Sequence, residues 1–413
     1  MMDLSQRTDI LRRCGATDAE SEELIAYIGD GFDIGSASCH SYPLSDEPFV
    51  EAWRRYAAEA RQVGAAATLR RHLVQLRFPI AKGISETEPH RAATRRGILP
   101  PGSETPPSFA DEDGLHITLH RTAAGTLPIV VARARSDFEY LIRALCHRNE
   151  PVPIPPSMGA CIVGGYNNWS RIARLREDWL ASTAAMPAID VEPAWREQFE
   201  RIVPQRERYQ DQFAILSTGP YSATTAAQVG MGDDEWLQLS LVIRLEHECA
   251  HYFTKRVFGS MRNSLLDELI ADYTGIVAAA GKFEASWLLR FMGLESQGAW
   301  RSTGRLANYR GTPPLSDGAF AVLHEIVRRA TVTLECFDVL LRGGTDAPLR
   351  RRSLDEVGRT IIAIARAGLE TLADQGGAEA LLAGFTGADT ISFTEARTWC
   401  VGAASRRRSS PLH

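Results

Sequence analysis

Lysine and cysteine are scarce in this 413-residue chain. Lysine occurs only at positions 82, 255 and 282, so arginine supplies nearly all of the 46 basic residues. The seven cysteines are scattered and form no CxxC pair, which argues against a disulfide framework and against a cysteine zinc site. With a formal net charge of -5, the chain also lacks the strongly basic surface of a nucleic-acid-binding protein.

Long apolar segments are missing as well. No stretch approaches the roughly 18 uninterrupted apolar residues of a membrane span. The first residues, MMDLSQRTDILRRCG, contain neither the apolar core nor the cleavage site of a signal peptide. We therefore expect a cytoplasmic protein that binds neither a membrane nor a nucleic acid, and the sequence leaves its oligomeric state open.

The chain does contain helical periodicity and a smaller share of strand patterns. Apolar residues at helical spacing predict helices over 47–64, 236–259 and 264–281. Alternating residues over 115–134 predict a β-hairpin, and 213–218 has the composition of a strand. Together these patterns predict a helix-rich α+β fold with a small β-sheet and with helical N- and C-terminal regions.

A proline-rich interruption helps to divide the chain. Five prolines among polar residues follow position 84, which predicts a linker or surface loop. The predicted segments are an N-terminal helical region (1–84), the Pro-rich linker or loop (85–114), an α+β region with the hairpin and a Gly-Gly-Tyr-Asn-Asn-Trp loop (115–206), a catalytic core (207–310), a C-terminal helical lobe (311–402) and a disordered tail (403–413).

The sharpest motif is the H-E-x-x-H sequence His247-Glu248-Cys249-Ala250-His251, which lies in a predicted buried helix. Residues four apart on a helix share one face, so two imidazoles at this spacing can bind one zinc ion. The glutamate beside the first histidine can then reach a water on the metal.

A third ligand and a supporting carboxylate follow on the next predicted helix. Glu268 supplies an oxygen ligand after a short connection. Asp272 lies one turn further along the same face, where it can accept the outer N–H of a ligating histidine and fix that ring's orientation.

The sequence HECAH followed by E-x-x-x-D resembles the thermolysin-like gluzincin clan of zinc metallopeptidases, over roughly residues 210–280. The resemblance implies a zincin-like core in which two helices hold Zn²⁺ through His247, His251 and Glu268. It further implies that Glu248 is the general base, that Asp272 supports a ligand histidine, and that the strand 213–218 is the sheet edge that binds an extended peptide. Two departures are a shorter separation between the second histidine and the ligand glutamate, and an aspartate, Asp267, before that glutamate.

The expected reaction is hydrolysis of a peptide or small amide-containing substrate. Three protein ligands leave zinc an open position, and Glu248 activates the zinc-bound water that attacks the carbonyl. The oxyanion needs a further donor. His324 and Tyr309 are the preferred catalytic candidates, because a downstream His or Tyr has this role in the clan; the other candidates are Tyr252, Arg301, Arg305 and Arg310.

Two other functions remain open at this stage. The same zinc site could serve a tailoring enzyme, such as a transferase, lyase or cyclase, that acts on a small molecule or a peptide intermediate. Alternatively, zinc could only join two helices in a non-catalytic protein, although a structural site has no need of a base at Glu248.

Several residues near these motifs have simpler interpretations. Cys249 is expected to be a small core residue that points away from the metal. His116 and His120 lie about 13 Å apart if their segment is a strand, too far to bind one metal. The Gly-Gly-Tyr-Asn-Asn-Trp sequence is interpreted as a glycine turn followed by an asparagine helix cap, with substrate recognition as the alternative.

Overall fold

The structure is a computed structural model that describes residues 2–29, 31–32, 35, 41–99, 107–183, 190–259, 264–295, 299–343 and 352–387. The disordered tail predicted at 403–413 lies outside these residues, as do 100–106 of the predicted linker. Within them the fold is α+β and helix-rich with one small mixed sheet, which confirms the predicted fold class.

The main helices and strands of the described residues, in chain order, are α1 (Leu4–Arg13), α2 (Asp18–Ile28), α3 (Phe49–Val63), α4 (Ala65–His72), α5 (Glu88–Arg96), β1 (Leu115–Thr122), β2 (Gly125–Ala132), α6 (Arg135–Cys146), β3 (Ala160–Asn167), α7 (Trp169–Thr183), α8 (Val191–Ile202), β4 (Gln210–Ser217), α9 (Ala226–Val229), α10 (Asp233–Phe258), α11 (Leu265–Ala280), α12 (Ala285–Met292), α13 (Asp317–Leu341), α14 (Leu354–Ala373) and α15 (Gly377–Thr386). No helix of the described residues is both long and apolar enough to cross a membrane.

The chain forms two compact units. The helical unit consists of residues 1–44 and 224–413, and the sheet unit consists of residues 45–223. The segment 207–310, predicted from the sequence as one core, therefore contributes its first residues to the sheet unit and the rest to the helical unit. The six-segment division of the chain stays a prediction.

The sheet unit contains a four-stranded sheet with the strand order β1-β2-β4-β3. Strands β1 and β2 form the predicted antiparallel hairpin. Strand β4 pairs in parallel with β2 and antiparallel with β3. The expectation that 213–218 forms a sheet edge is therefore wrong: residues 214–216 have a paired strand on both sides, so their backbone groups are not available to a peptide.

The predicted linker at 85–114 contains a helix, α5, which corrects the expectation of a loop. The second residue of this helix is Pro89, and a proline there costs no hydrogen bond because the first N–H groups of a helix lack intrahelical partners. Gly97 ends the helix in the left-handed conformation. Ala92 and Ala93 are buried, so packing stabilises a helix in this segment, although its prolines predict irregular structure.

The Gly-Gly-Tyr-Asn-Asn-Trp segment ends β3 and begins α7. The predicted asparagine cap is present, since the Asn168 side chain accepts a hydrogen bond from the backbone N–H of Arg171 at 3.2 Å. In place of a glycine turn, the two glycines lie within the strand, at a register shift between Gly164 and Tyr166.

The helical unit has α10 and α11 at its centre. Both match the predicted helices closely, and each ends at a glycine in the left-handed conformation, Gly259 and Gly281. The side chain of Ser264 caps α11 by accepting from the backbone N–H of Asp267. This pair of helices carries the H-E-x-x-H motif and the two acidic residues that follow it.

Candidate metal centre

The two predicted histidine ligands lie in the middle of α10. They are one turn apart, and every residue from His247 to Thr254 is buried. Helix α10 has acidic residues in its first turn and basic residues in its last turn, an arrangement that complements the helix dipole. A long and well-capped helix thus holds both imidazoles on one face.

Helix α11 packs against this face in antiparallel orientation at unusually short range. A Cβ atom on Gly275 would lie 2.6 Å from the backbone oxygen of Ile243, so only glycine fits this contact. His247 lies one turn after Ile243 along α10 and faces Asp272. His251 lies one turn after His247 and faces Asp267. The close contact at Gly275 therefore sets the register that brings the acidic residues of α11 to the histidines.

Three candidate ligand residues converge between the helices. The Nε2 atoms of His247 and His251 are 3.0 Å apart. Each also lies 3.7 Å from a carboxylate oxygen of Glu268. All three residues are buried, and they form a group whose ligand atoms lie within 4.8 Å of one another.

Each histidine has a carboxylate on the side away from the cluster. The Nδ1 atom of His247 is 3.0 Å from Asp272, and the Nδ1 atom of His251 is 3.0 Å from Asp267. A carboxylate in this place keeps the proton on Nδ1 and leaves Nε2 to the cluster. The sequence predicted this role for Asp272 but not for Asp267, which it treated only as a departure from a family pattern.

The carboxylates also determine the protonation of the cluster. Burial lowers the pKa of His251, but its hydrogen bond to Asp267 and the charges of Asp267, Glu268 and Glu248 outweigh this effect and raise the pKa to about 9. The raised pKa favours the protonated ring of His251 in the absence of a metal, and a cation bound at its Nε2 would replace that proton.

Two residues from the segment before α13 complete the cluster. The guanidinium of Arg305 forms an ion pair with Asp272 and lies 3.5 Å from a carboxylate oxygen of Glu268. The hydroxyl of Tyr309 donates a hydrogen bond to Glu268. Burial and the charge of Glu268 raise the pKa of Tyr309, so its phenol stays protonated. Both residues hold the carboxylates of α11 in place.

The predicted general base, Glu248, is buried beside the cluster. Burial raises the pKa of its carboxyl group, and Glu268 adds to this effect, while His247, His251 and Arg244 oppose it. A carboxylate with a raised pKa is a better proton acceptor near neutral pH than an exposed one. A carboxyl group that can accept a proton thus lies beside the three candidate ligands.

The remaining candidate donors lie elsewhere in the described part of the helical unit. His324 packs between Trp300 and Phe320, and its buried Nε2 has no hydrogen-bond partner among the described residues. No interaction links it to the three ligand candidates there. Arg301 forms an ion pair with Glu295 and Arg310 with Asp317, while Tyr252 is fully buried. Of the predicted donors, the structure brings Tyr309 and Arg305 to the cluster.

The ligand atoms fit a small divalent cation. Zinc binds nitrogen and oxygen at about 2.0–2.2 Å, so two ligand atoms in tetrahedral arrangement are roughly 3.3 Å apart. The two Nε2 atoms are 3.0 Å apart, and each is 3.7 Å from a different carboxylate oxygen of Glu268, Oε2 for His247 and Oε1 for His251; each of these distances differs from that value by a few tenths of an ångström. Two neutral imidazoles and one carboxylate are also the ligand set that catalytic zinc sites use.

Comparison with known proteins adds a family but no activity. A family model described as "Family of unknown function (DUF7005)" matches residues 9–376, which include the whole cluster. No curated protein and no solved structure matches the chain.

Proposed function

Since the chain belongs to the family DUF7005, whose description assigns no function, we propose its function from the site itself: zinc-dependent hydrolysis of a peptide or amide bond. The observation that carries this proposal is the convergence of His247, His251 and Glu268, with ligand atoms 3.0–3.7 Å apart, beside the buried Glu248. The likeness to gluzincins and the cytoplasmic location remain predictions from the sequence.

Each residue of the cluster has a distinct part in the proposed chemistry. When bound, zinc supplies a Lewis acid that polarises a carbonyl and acidifies a water. Glu248 would accept a proton at its carboxylate from the attacking water as the C–O bond forms, and would donate it to the amine nitrogen as the C–N bond breaks. Asp267 and Asp272 keep the imidazole Nδ1 atoms protonated, so that both Nε2 atoms remain available.

The surrounding polar residues favour a cation. Four carboxylates (Asp267, Asp272, Glu248 and Glu268) are buried together; among the described residues, Arg305 lies beside Asp272 and Glu268, and the charge of Arg244 acts on Glu248. A buried surplus of negative charge is unfavourable unless a bound cation or protons compensate it. A divalent ion between the three ligand candidates would provide that compensation.

The proposed role of Tyr309 differs from the sequence prediction. Its hydroxyl is occupied by Glu268, so we assign it to positioning this ligand. Arg305 has the corresponding role for Asp272. His324 stays a candidate oxyanion donor from the sequence alone.

The variant Glu248→Gln tests the catalytic proposal. It keeps the shape of the side chain but removes the base, so we expect wild-type zinc binding and a loss of nearly all turnover. Glu235→Gln is the matched control, because Glu235 is exposed in the first turn of the same helix. A mixture of peptides and small amides, analysed by mass spectrometry with and without zinc, provides the assay.

The result also separates the alternatives. If zinc binds one-to-one but neither peptides nor amides are cleaved, hydrolysis is contradicted. An amidated, cyclised or dehydrated product in that assay would favour a tailoring reaction at the same residues. If Glu248→Gln retains every activity of the wild type, the glutamate is not a base and the zinc is structural.

A further inference from the structure

Two cysteines of the sheet unit lie side by side. The Sγ atoms of Cys146 and Cys161 are 3.6 Å apart. Cys146 is exposed and Cys161 is half-buried, whereas the other described cysteines, Cys14, Cys249 and Cys336, are buried. Solvent and small reagents therefore reach this pair more readily than the other three thiols.

The two cysteines belong to different elements. Cys146 is the last residue of α6, and Cys161 is the second residue of β3. Side chains two residues apart on a strand point to the same face, so Cys161 shares a face with the buried Val163. Helix α6 packs against β3 and β4, and its residues Leu141 and Ile142 are fully buried. The packing of the helix on the sheet brings its last residue to the start of the strand.

The connection between α6 and β3 is also attached to the helix. The guanidinium of Arg143 donates to the backbone oxygen of Val152 at 2.9 Å. The guanidinium of Arg135 donates to the backbone oxygen of Pro155, also at 2.9 Å. These hydrogen bonds hold the connection along α6 without using either thiol. The two sulfur atoms are thus adjacent while both are still reduced.

The separation of the sulfur atoms suits an intramolecular disulfide. Bonded sulfur atoms are about 2.05 Å apart, so the two atoms must approach each other by only about 1.5 Å from their observed distance. A change of this size, shared by the two side chains, requires modest rotation about their Cα–Cβ bonds. No rearrangement of α6 or β3 is needed.

The two thiols differ in reactivity. A hydrogen bond from Cys161 lowers the pKa of Cys146, while desolvation opposes this effect. The thiolate is the form of cysteine that reacts with oxidants. Cys146, which is exposed, is therefore the thiol that an oxidant meets first, and Cys161 is the thiol placed to react with the product.

We propose that Cys146 and Cys161 form a redox-active dithiol, which hydrogen peroxide converts to a disulfide. The Cys146 thiolate attacks one oxygen of the peroxide: an S–O bond forms, the O–O bond breaks, and the leaving hydroxide takes up the thiol proton as water. The product at Cys146 is a sulfenic acid. The sulfur of Cys161 then attacks Sγ of Cys146, the S–S bond forms as the S–O bond breaks, and the second hydroxide leaves as water with the proton of Cys161. Each sulfur gives up one electron, and the peroxide accepts both.

The neighbouring thiol keeps the oxidation reversible. A sulfenic acid that meets no thiol can be oxidised further to a sulfinic acid, which is in general irreversible, whereas a disulfide is reduced again by thiols. The disulfide would join the end of α6 to β3, 15 positions further along the chain. This inference is independent of the proposed hydrolase activity, because it uses other residues in the other unit of the chain.

Mass spectrometry of the full-length protein tests the proposal. The protein is treated with hydrogen peroxide in the presence of a chelator, which excludes oxidation by trace metals. We expect a loss of about 2 Da, the two thiol hydrogens, that dithiothreitol reverses. Trypsin cleaves after Arg143, Arg148 and Arg171, so the disulfide should link the peptides 144–148 and 149–171. Absence of this link, or a sulfinic acid at Cys146 in its place, would overturn the proposal.

Three variants assign the roles of the two thiols. Cys146→Ser and Cys161→Ser should each abolish the 2 Da loss. In Cys161→Ser the sulfenic acid of Cys146 persists, so the sulfenic-acid reagent dimedone should label Cys146 about tenfold or more above its labelling in the wild type, where the adjacent thiol removes the sulfenic acid. Cys39→Ser is the matched control, because Cys39 lies outside the described residues and the disulfide should form as in the wild type. Equal dimedone labelling in the wild type and Cys161→Ser would contradict the role of Cys161.

Discussion

The close contact between α10 and α11 leads to a specific prediction for Gly275→Ala. The added methyl group would lie 2.6 Å from the backbone oxygen of Ile243 and 3.1 Å from its Cγ2 atom. An ordinary contact begins near 3.4 Å, so the helices would have to separate by about 0.8 Å. A backbone oxygen cannot move away as a flexible side chain does, and the displacement must be shared by the two helices.

Two opposing effects set the stability change. Overpacking of this kind costs about 1–3 kcal/mol. Alanine is about 1 kcal/mol better than glycine in a helix interior, which offsets part of that cost. Because the contact involves a backbone atom, we expect a net decrease of about 1–2 kcal/mol in the free energy of unfolding.

The same displacement should affect metal binding. A zinc site tolerates deviations of only about 0.2 Å in its ligand distances. Gly275 lies two turns beyond Glu268 on α11, so the separation of the helices shifts this ligand relative to the histidines. We expect the zinc affinity to fall about 10–100-fold, the size of effect seen when support of a metal ligand is lost.

Urea unfolding in the presence of a chelator measures the stability, and competition with a chromophoric chelator measures the zinc affinity. Gly384→Ala is the matched control: Gly384 is an exposed helical glycine whose added Cβ would lie 3.9 Å from its nearest neighbour, Ala363. The control should be neutral or slightly stabilising. If Gly275→Ala behaves in the same way in both assays, the helices do not form the contact on which the site geometry depends.

Three further predictions follow from the charges of the helical unit. The pKa of His251 is raised to about 9, so a metal must displace the proton of this ring. Zinc affinity should therefore rise about tenfold per pH unit from pH 6 toward 8. Calorimetry in buffers of different ionisation enthalpy should detect about one proton released per zinc ion, and release of no proton would contradict this prediction. Asp267→Asn and Asp272→Asn should each weaken zinc binding about 10–100-fold in the chelator competition assay, and equal affinity to wild type would show that neither carboxylate orients a ligand. Asp338 is fully buried and pairs with two arginines. Asp338→Asn should therefore lower the free energy of unfolding, measured by urea unfolding, by about 3–5 kcal/mol. A decrease of less than about 1 kcal/mol would contradict that pairing.

Local signals in the sequence predicted most of the helices correctly. Helix α11 has a serine cap at one end and glycine at the other, and α10 ends at Gly259 as its sequence indicates. These ends are encoded by single residues within one turn of the boundary. By contrast, α5 was missed because its prolines dominate the local pattern, whereas burial of its alanines against the rest of the sheet unit decides its structure.

The arrangement of the strands could not be predicted in this way. The sequence of 213–218 indicates a strand, but nothing in it distinguishes an interior strand from an edge. That distinction depends on β2 and β3, which pair with β4 from more than 40 residues away. The error about the peptide-binding edge came from the family resemblance and not from the residues themselves.

The candidate site also combines residues that a local motif predicts with residues whose roles depend on contacts between distant parts of the chain. The spacing of His247 and His251 is a property of one helix, and Glu268 and Asp272 repeat that spacing on the next helix, so a local motif could identify all four. The role of Arg305 depends on a contact with Asp272, 33 residues earlier in the chain, which no periodicity marks. For Asp267 a signal was present: an acidic residue immediately before the candidate ligand Glu268, near the start of a helix, can face the previous helix.

Metal analysis tests the central claim most directly. The wild type and the His251→Ala variant are stripped with a chelator, incubated with equimolar zinc, passed through a desalting column and analysed for bound metal. We predict one zinc ion per chain for the wild type and little or none for His251→Ala, with both proteins folded by circular dichroism. Equal zinc content in the two proteins, whether near one or near zero, would contradict the metal centre and with it the proposed hydrolase.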